Sequence, residues 1–186
     1  FLFLFLSLSL SSSLLSYLIL IMMGAFQRLM REYQELACNP PEGITAGPPD
    51  ESNFFEWDAI VIGPPGTPYE GGAFEAKMTF PQNYPHAPPK MVFSTRMWHP
   101  NIYQNGEVCI SILHPPGEDP NHYETPQERW SPAQSVEKIL ISVMSMLAEP
   151  NDESPANIDA AKMWRNNREE FVKRVDDTVR ESLGIE

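Results

Sequence analysis

The sequence predicts an α+β domain with an N-terminal helix, a four-stranded antiparallel meander, a long central helix and two C-terminal helices. Three observations carry this. Apolar residues recur at helical spacing near both ends of the body. They alternate with polar residues in its middle. The alternating runs are joined by short Gly- and Pro-rich turns, which suit antiparallel neighbours and leave no room for crossover helices.

The elements follow in order. Phe26, Leu29, Met30, Tyr33, Leu36 and Ala37 share one face of a helix that begins near Ala25 and is stopped by Asn39-Pro40-Pro41. Ile44 to Ala46 is the weakest of four strands. Phe55, Trp57, Ala59 and Val61 alternate with Glu56, Asp58 and Ile60 in the second. Gly63 to Gly72 is turn chemistry. Phe74, Ala76, Met78 and Phe80 alternate with Glu75, Lys77 and Thr79 in the third, and Lys90 to Ser94 follows the prolines as the fourth. Val136, Ile139, Leu140, Val143, Met144 and Leu147 stripe a long helix ended by Pro150, with two shorter helices at Ile158–Arg165 and Arg168–Leu183.

At 186 residues the chain suits one domain, since roughly 150 residues make one. Its net charge of −12 argues against a protein built to grip nucleic acid, which needs clustered Lys and Arg. Two cysteines, Cys38 and Cys109, exclude a disulfide-rich scaffold and an all-cysteine zinc site. Residues 1–23 hold six serines, 17 apolar residues and no charge. They lack the basic start and small-residue cleavage site of a secretory signal. Their length would suit a membrane anchor of about 20 residues, with Arg28 and Arg31 keeping the body cytoplasmic, but the serines weaken it. The reading adopted is an upstream-extended translation with its start at Met22 or Met23. Residues 1–23 are then expected to lie outside the fold, and the domain to span 24–186.

The irregular stretch Met97–Trp130 is where chemistry is expected, because a long unstructured segment inside a compact domain is usually functional. It holds Cys109, His99, His114 and His122. Phosphate-binding glycine motifs and H-E-x-x-H are missing. Taken alone, Cys109 between Val108 and Ile110 reads as a small buried hydrophobe. A papain-like protease would need its histidine about 130 residues downstream, and the chain is too short for that. A zinc site from Cys109 and the three histidines lacks paired ligand spacing. The sequence places no base for Cys109, so a thiol hydrolase is disfavoured.

The neighbourhood of Cys109 changes that balance. Trp98-His99-Pro100-Asn101-Ile102 precedes it, and Tyr103-Gln104-Asn105-Gly106 forms a turn between them. Tyr84-Pro85, Pro88-Pro89, Trp130-Ser131-Pro132-Ala133 and Pro150-Asn151 occur in order around this block. The set resembles ubiquitin-conjugating enzymes, over residues 25–184. The long segment from His114 to Glu124, within an insertion spanning about 114–128, is similar to the acidic loop of the G-type branch, associated with degradation of endoplasmic-reticulum proteins. Glu118, Asp119 and Glu124 are its acidic residues.

The resemblance implies that Cys109 accepts ubiquitin as a thioester from an activating enzyme and passes it to a lysine with a RING-type ligase. No metal or organic cofactor is implied. Asn101 becomes the candidate amide donor to the tetrahedral oxyanion, or the residue that ties down the loop, and His99 is expected to be structural. Asp152, Glu153 and Ser154 fall where the family orients the incoming lysine, with Ser154 at a position often held by Asp. Arg28, Arg31, Pro85, His86, Ser131, Pro132 and Ala133 correspond to the surface that meets activating enzymes and ligases. His86 replaces a larger apolar residue there. The implied partners are ubiquitin, the activating enzyme, a ligase and protein lysines, with no nucleic acid. The implied location is the cytoplasm, with the cytosolic face of the endoplasmic reticulum as the place of action; membrane contact would come through a partner or the leader. The alternative is a catalytically silent relative of the same fold, which Cys109 together with His99-Pro100-Asn101 argues against.

Overall fold

A computed structural model describes the backbone of residues 2–117 and 124–185, and the side chains from Ser16 onward within that range, Leu18 excepted. Of the acidic-loop residues singled out by sequence, Glu118 and Asp119 therefore lie outside the described residues, as does His122.

The chain order is α1 (Leu2–Cys38), β1 (Ile44–Gly47), β2 (Glu56–Ile62), β3 (Ala73–Thr79), β4 (Lys90–Phe93), α2 (Val136–Ala148), α3 (Ile158–Asn166) and α4 (Arg168–Ser182). The four strands form one sheet in sequence order, each pair antiparallel. Register follows the alternation of the sequence. Trp57, Ala59 and Val61 pair with Met78, Ala76 and Phe74. Met78 and Ala76 pair with Met91 and Phe93, so all these side chains fill the buried face. Glu56, Asp58, Glu75 and Lys77 line the solvent face. α2 adds Val136, Ile139, Leu140, Val143, Met146 and Leu147 to the same core. Ser135, Asn157 and Asn167 cap α2, α3 and α4 by accepting from the backbone N–H three residues on.

Two expectations about α1 need correction. The helix begins at Leu2, not near Ala25. The residues before Gly24 include no proline and many leucines, so nothing in them stops a helix even though they show no amphipathic period. Among its described side chains, Ala25 is the first buried one; Tyr17, Ile19, Leu20, Met22 and Met23 are exposed. The packing face is the expected one for Phe26, Leu29, Met30, Tyr33 and Leu36, but its most buried line differs. It runs Ala25, Leu29, Glu32, Leu36, with Ala37 exposed, so a carboxylate occupies a core position. Among the described residues no helix is long and apolar enough to cross a membrane.

Candidate active site

After β4 the chain folds back on itself and pins Cys109 beside the sheet. Val108 donates to Met91 O at 3.0 Å, and Cys109 donates to Asn101 O at 2.9 Å. The reversal turns on Gly106, whose φ is +84°; a Cβ there would lie 2.2 Å from Phe93 O, so only glycine fits. A one-turn 3-10 helix, Ser111–Leu113, then bends the chain back toward Cys109.

His99 is fully buried. Its Nδ1 accepts the Asn101 N–H at 2.9 Å, and its Nε2 lies 3.0 Å from Met146 O, which leaves Nε2 as the protonated nitrogen. Burial pushes its pKa down to about 3, against the pull of Met146 O. A buried neutral imidazole cannot take a proton from an acyl-transfer site at neutral pH, so His99 acts as a brace. The folded state resists protonation while the unfolded chain, with a pKa near 6.5, accepts it. Stability contributed by His99 is therefore complete above about pH 6.5 and falls as pH drops toward 3. The urea midpoint is expected to fall between pH 7 and pH 5, and to fall less in His99→Gln, which keeps one donor and one acceptor.

The Asn101 side chain is nearly buried and clamps the backbone of Asn151: Nδ2 donates to Asn151 O at 2.7 Å and Oδ1 accepts from Asn151 N at 2.9 Å. The HPN block is thus bolted to the end of α2 at two places, Met146 O and Asn151.

Cys109 is half-buried, and its sulfur opens into a cleft of about 470 Å³. The expectation that no base faces this thiol is overturned. His114 Nε2 lies 3.6 Å from Cys109 Sγ, and His114 Nδ1 lies 2.8 and 2.9 Å from the two carboxylate oxygens of Glu124. Ser111 Oγ donates to Glu124 Oε1 at 2.8 Å, and Arg129 Nε stands 3.5 Å from Oε2. The imidazole beside the thiol lowers the pKa of Cys109 against the opposing effect of burial. In turn the thiol, then Glu124, push His114 up to about 9. Tyr103, on a neighbouring turn, is raised above the usual tyrosine range chiefly by its hydrogen bond to Cys109. Sequence reasoning missed this chain because its parts are five and ten residues apart with no fixed spacing motif. The reversal at Ser111–Leu113 brings His114 back to Cys109.

Asn101, Glu149, Asn151 and Ser154 line the cleft with Cys109. Asp152 is turned away: its carboxylate takes Arg165 Nε at 2.8 Å and its backbone O takes Arg165 Nη2 at 2.6 Å. Glu153 is exposed and does not line the cleft. A larger groove of about 930 Å³ runs between the 103–107 turn and the start of α3, but no thiol lines it. Among the described residues no group of His, Cys, Asp or Glu is arranged to hold a metal ion.

The expected partner surface comes together at the other end of α2. Arg28 pairs with Glu32 and reaches Gln134 O at 2.9 Å. Trp130 Nε1 donates to Pro85 O at 2.7 Å, and Tyr84 Oη donates to Glu32 at 2.8 Å. The Tyr84–Pro85 peptide is cis. These bonds gather the first helix, the Pro85 loop and the Ser131–Ala133 turn, and leave Arg31, His86, Pro132 and Ala133 exposed.

Residues 28–179 match the family model described as ubiquitin-conjugating enzyme. The chain is 62% identical over 161 residues to human ubiquitin-conjugating enzyme E2 G2, covering 87% of this chain and 98% of that protein. It is 60% identical over 161 residues to the Schizosaccharomyces pombe ubiquitin-conjugating enzyme E2-18 kDa, covering 87% and 97%. Against Arabidopsis thaliana ubiquitin-conjugating enzyme E2 7 it is 56% identical over 154 residues, covering 83% and 93%.

Proposed function

This chain belongs to the ubiquitin-conjugating enzyme family, and from that premise we propose that Cys109 Sγ carries ubiquitin as a thioester and delivers it to a lysine chosen by a RING-type ligase. The observation that carries this reading is the half-buried sulfur opening into a cleft that Asn101 and Ser154 also line. In charging, the Cys109 thiolate attacks the carbonyl of the thioester held by the activating enzyme, and that enzyme's thiolate leaves. In discharge, a lysine amine attacks the new thioester and Cys109 leaves as thiolate. Both steps pass through an oxyanion, which a fixed amide donor stabilises. One hydrogen of Asn101 Nδ2 is committed to Asn151 O; the second is the donor offered to the oxyanion.

For the incoming ammonium we assign Ser154 and Glu149, which line the cleft, in place of Asp152, which Arg165 occupies. The activating enzyme and the ligase dock on the face bearing Arg31, Pro85, His86, Pro132 and Ala133, with Arg28 and Ser131 shaping it from below. Similarity to the E2 G2 proteins supports a role in degradation of endoplasmic-reticulum proteins from the cytosolic side.

The test mixes the chain with activating enzyme, ATP and ubiquitin. A covalent adduct that disappears on reduction is expected; no adduct would favour the silent, binding-only reading. Asn101→Ala is expected to slow discharge to free lysine by about 10²-fold, the worth of one oxyanion donor, and charging by less. Equal slowing of both steps would leave Asn101 as a loop clamp alone.

A further inference from the structure

The generic chemistry of a thioester donor needs no base, yet a neutral lysine amine is scarce at pH 7 because its unperturbed pKa is about 10.4. The described residues place one ionisable imidazole beside the sulfur. His114 has its Nδ1 against the two oxygens of Glu124, which offer no hydrogen, so Nδ1 carries a proton in either charge state. The nitrogen that gains and loses a proton is then Nε2, and it is the one facing Cys109 Sγ at 3.6 Å. Ser111 and Arg129 hold Glu124 from its other sides, so the imidazole is aimed by a supported carboxylate.

We propose that His114 is the general base of the discharge step, with Glu124 as its positioning residue. This rests on the thioester reading given above. In the free enzyme the contact with the imidazole lowers the pKa of the thiol, which serves charging. Once Sγ is acylated it carries no charge, and the largest influence raising His114 is gone. The ring then releases its Nε2 proton to solvent and faces the thioester with a lone pair. An arriving lysine ammonium gives one proton to Nε2; its nitrogen forms the bond to the carbonyl carbon, the C–S bond breaks with its electron pair on sulfur, and the second nitrogen proton goes to water. The products are an amide, a thiolate and an imidazolium. The other charges facing this ring are Glu124, Glu128, Glu149 and Arg129 across the cleft, and the Lys90–Glu107 pair beyond Cys109. The three cleft carboxylates outnumber the one guanidinium and favour an arriving cation.

The experiment isolates thioester-charged enzyme and follows single-turnover discharge to lysine and to hydroxylamine across pH. Hydroxylamine is already unprotonated at neutral pH and needs no base. His114→Gln is expected to reduce the lysine-to-hydroxylamine rate ratio by about 10²-fold, the lower range for a positioned base. Glu124→Gln is expected to move the midpoint of the lysine profile to lower pH, because the carboxylate holds the imidazole's pKa up. A ratio unchanged in His114→Gln, or a midpoint unmoved in Glu124→Gln, overturns the assignment while a thioester that still forms leaves the proposed function standing. A wild-type chain that forms no thioester overturns both.

Discussion

Cys109→Ala is expected to form no reductant-sensitive adduct at any time or enzyme concentration, a complete loss rather than a slowed rate. The cleft offers no second thiol: Cys38, the other cysteine, is exposed at the end of α1 and does not line it. Chemical substitution by a neighbour is also unavailable, because a serine hydroxyl such as Ser111, bonded to a carboxylate, is a far weaker nucleophile than a thiolate at neutral pH. The fold should survive, since truncating one half-buried sulfur removes less than a buried methylene's worth of packing, about 1 kcal/mol. Circular dichroism and the urea midpoint check that point. Cys38→Ala should charge normally. Cys109→Ser keeps the shape and is expected to give a slow adduct that reductant does not cleave, an oxygen ester. An adduct retained by Cys109→Ala would move the acceptor elsewhere and remove the catalytic reading of the cleft.

The second large effect concerns stability. Glu32 is 4% exposed and serves three donors: Tyr84 Oη at 2.8 Å, the Val136 backbone N–H at 2.6 Å, and Arg28. Burial, then the neighbouring carboxylate, push the Tyr84 phenol far above its ordinary value, so it stays a donor at all working pH. Glu32→Ala would strand a buried hydroxyl, a buried helix N-terminal N–H and a partly buried guanidinium together. Breaking a buried charge pair by removing one partner costs about 3–5 kcal/mol. That is a large fraction of the 5–15 kcal/mol that holds a typical domain folded. Glu32→Gln keeps acceptor oxygen and shape and should lose clearly less. Urea unfolding followed by tryptophan fluorescence reads both. A loss in Glu32→Ala below about 1 kcal/mol, the scale of an exposed pair, would show that water replaces the carboxylate.

Where sequence and structure agree, the reason is period. The two-residue alternation of Trp57–Val61 and Phe74–Met78 fixes both the strands and their buried faces, because a one-residue slip would turn Glu56, Asp58 and Lys77 inward. The stripe from Val136 to Leu147 fixes α2 in the same way. Where they part, a polar residue does work that its type conceals. Glu32 sits in the core stripe of α1, but a carboxylate counts as a solvent residue in any periodicity. His114 and Glu124 flank a Pro- and Gly-containing segment that reads as a solvated loop, and the approach of His114 to Cys109 follows a single 3-10 turn. Among the lysine-orienting candidates, order along the chain could not separate Ser154 from Asp152; the ion pair with Arg165 does.

α2 is a 13-residue rod, about 20 Å from end to end. Its first N–H is anchored to Glu32 under the proposed docking face, and its last turn grips His99, with Asn101 clamped just beyond it. A strut fixed at both ends by short, buried bonds and packed along its length into the core has little freedom to tilt at one end alone. Weakening the anchorage under Glu32 should therefore register as looseness in the loop that carries the thiol.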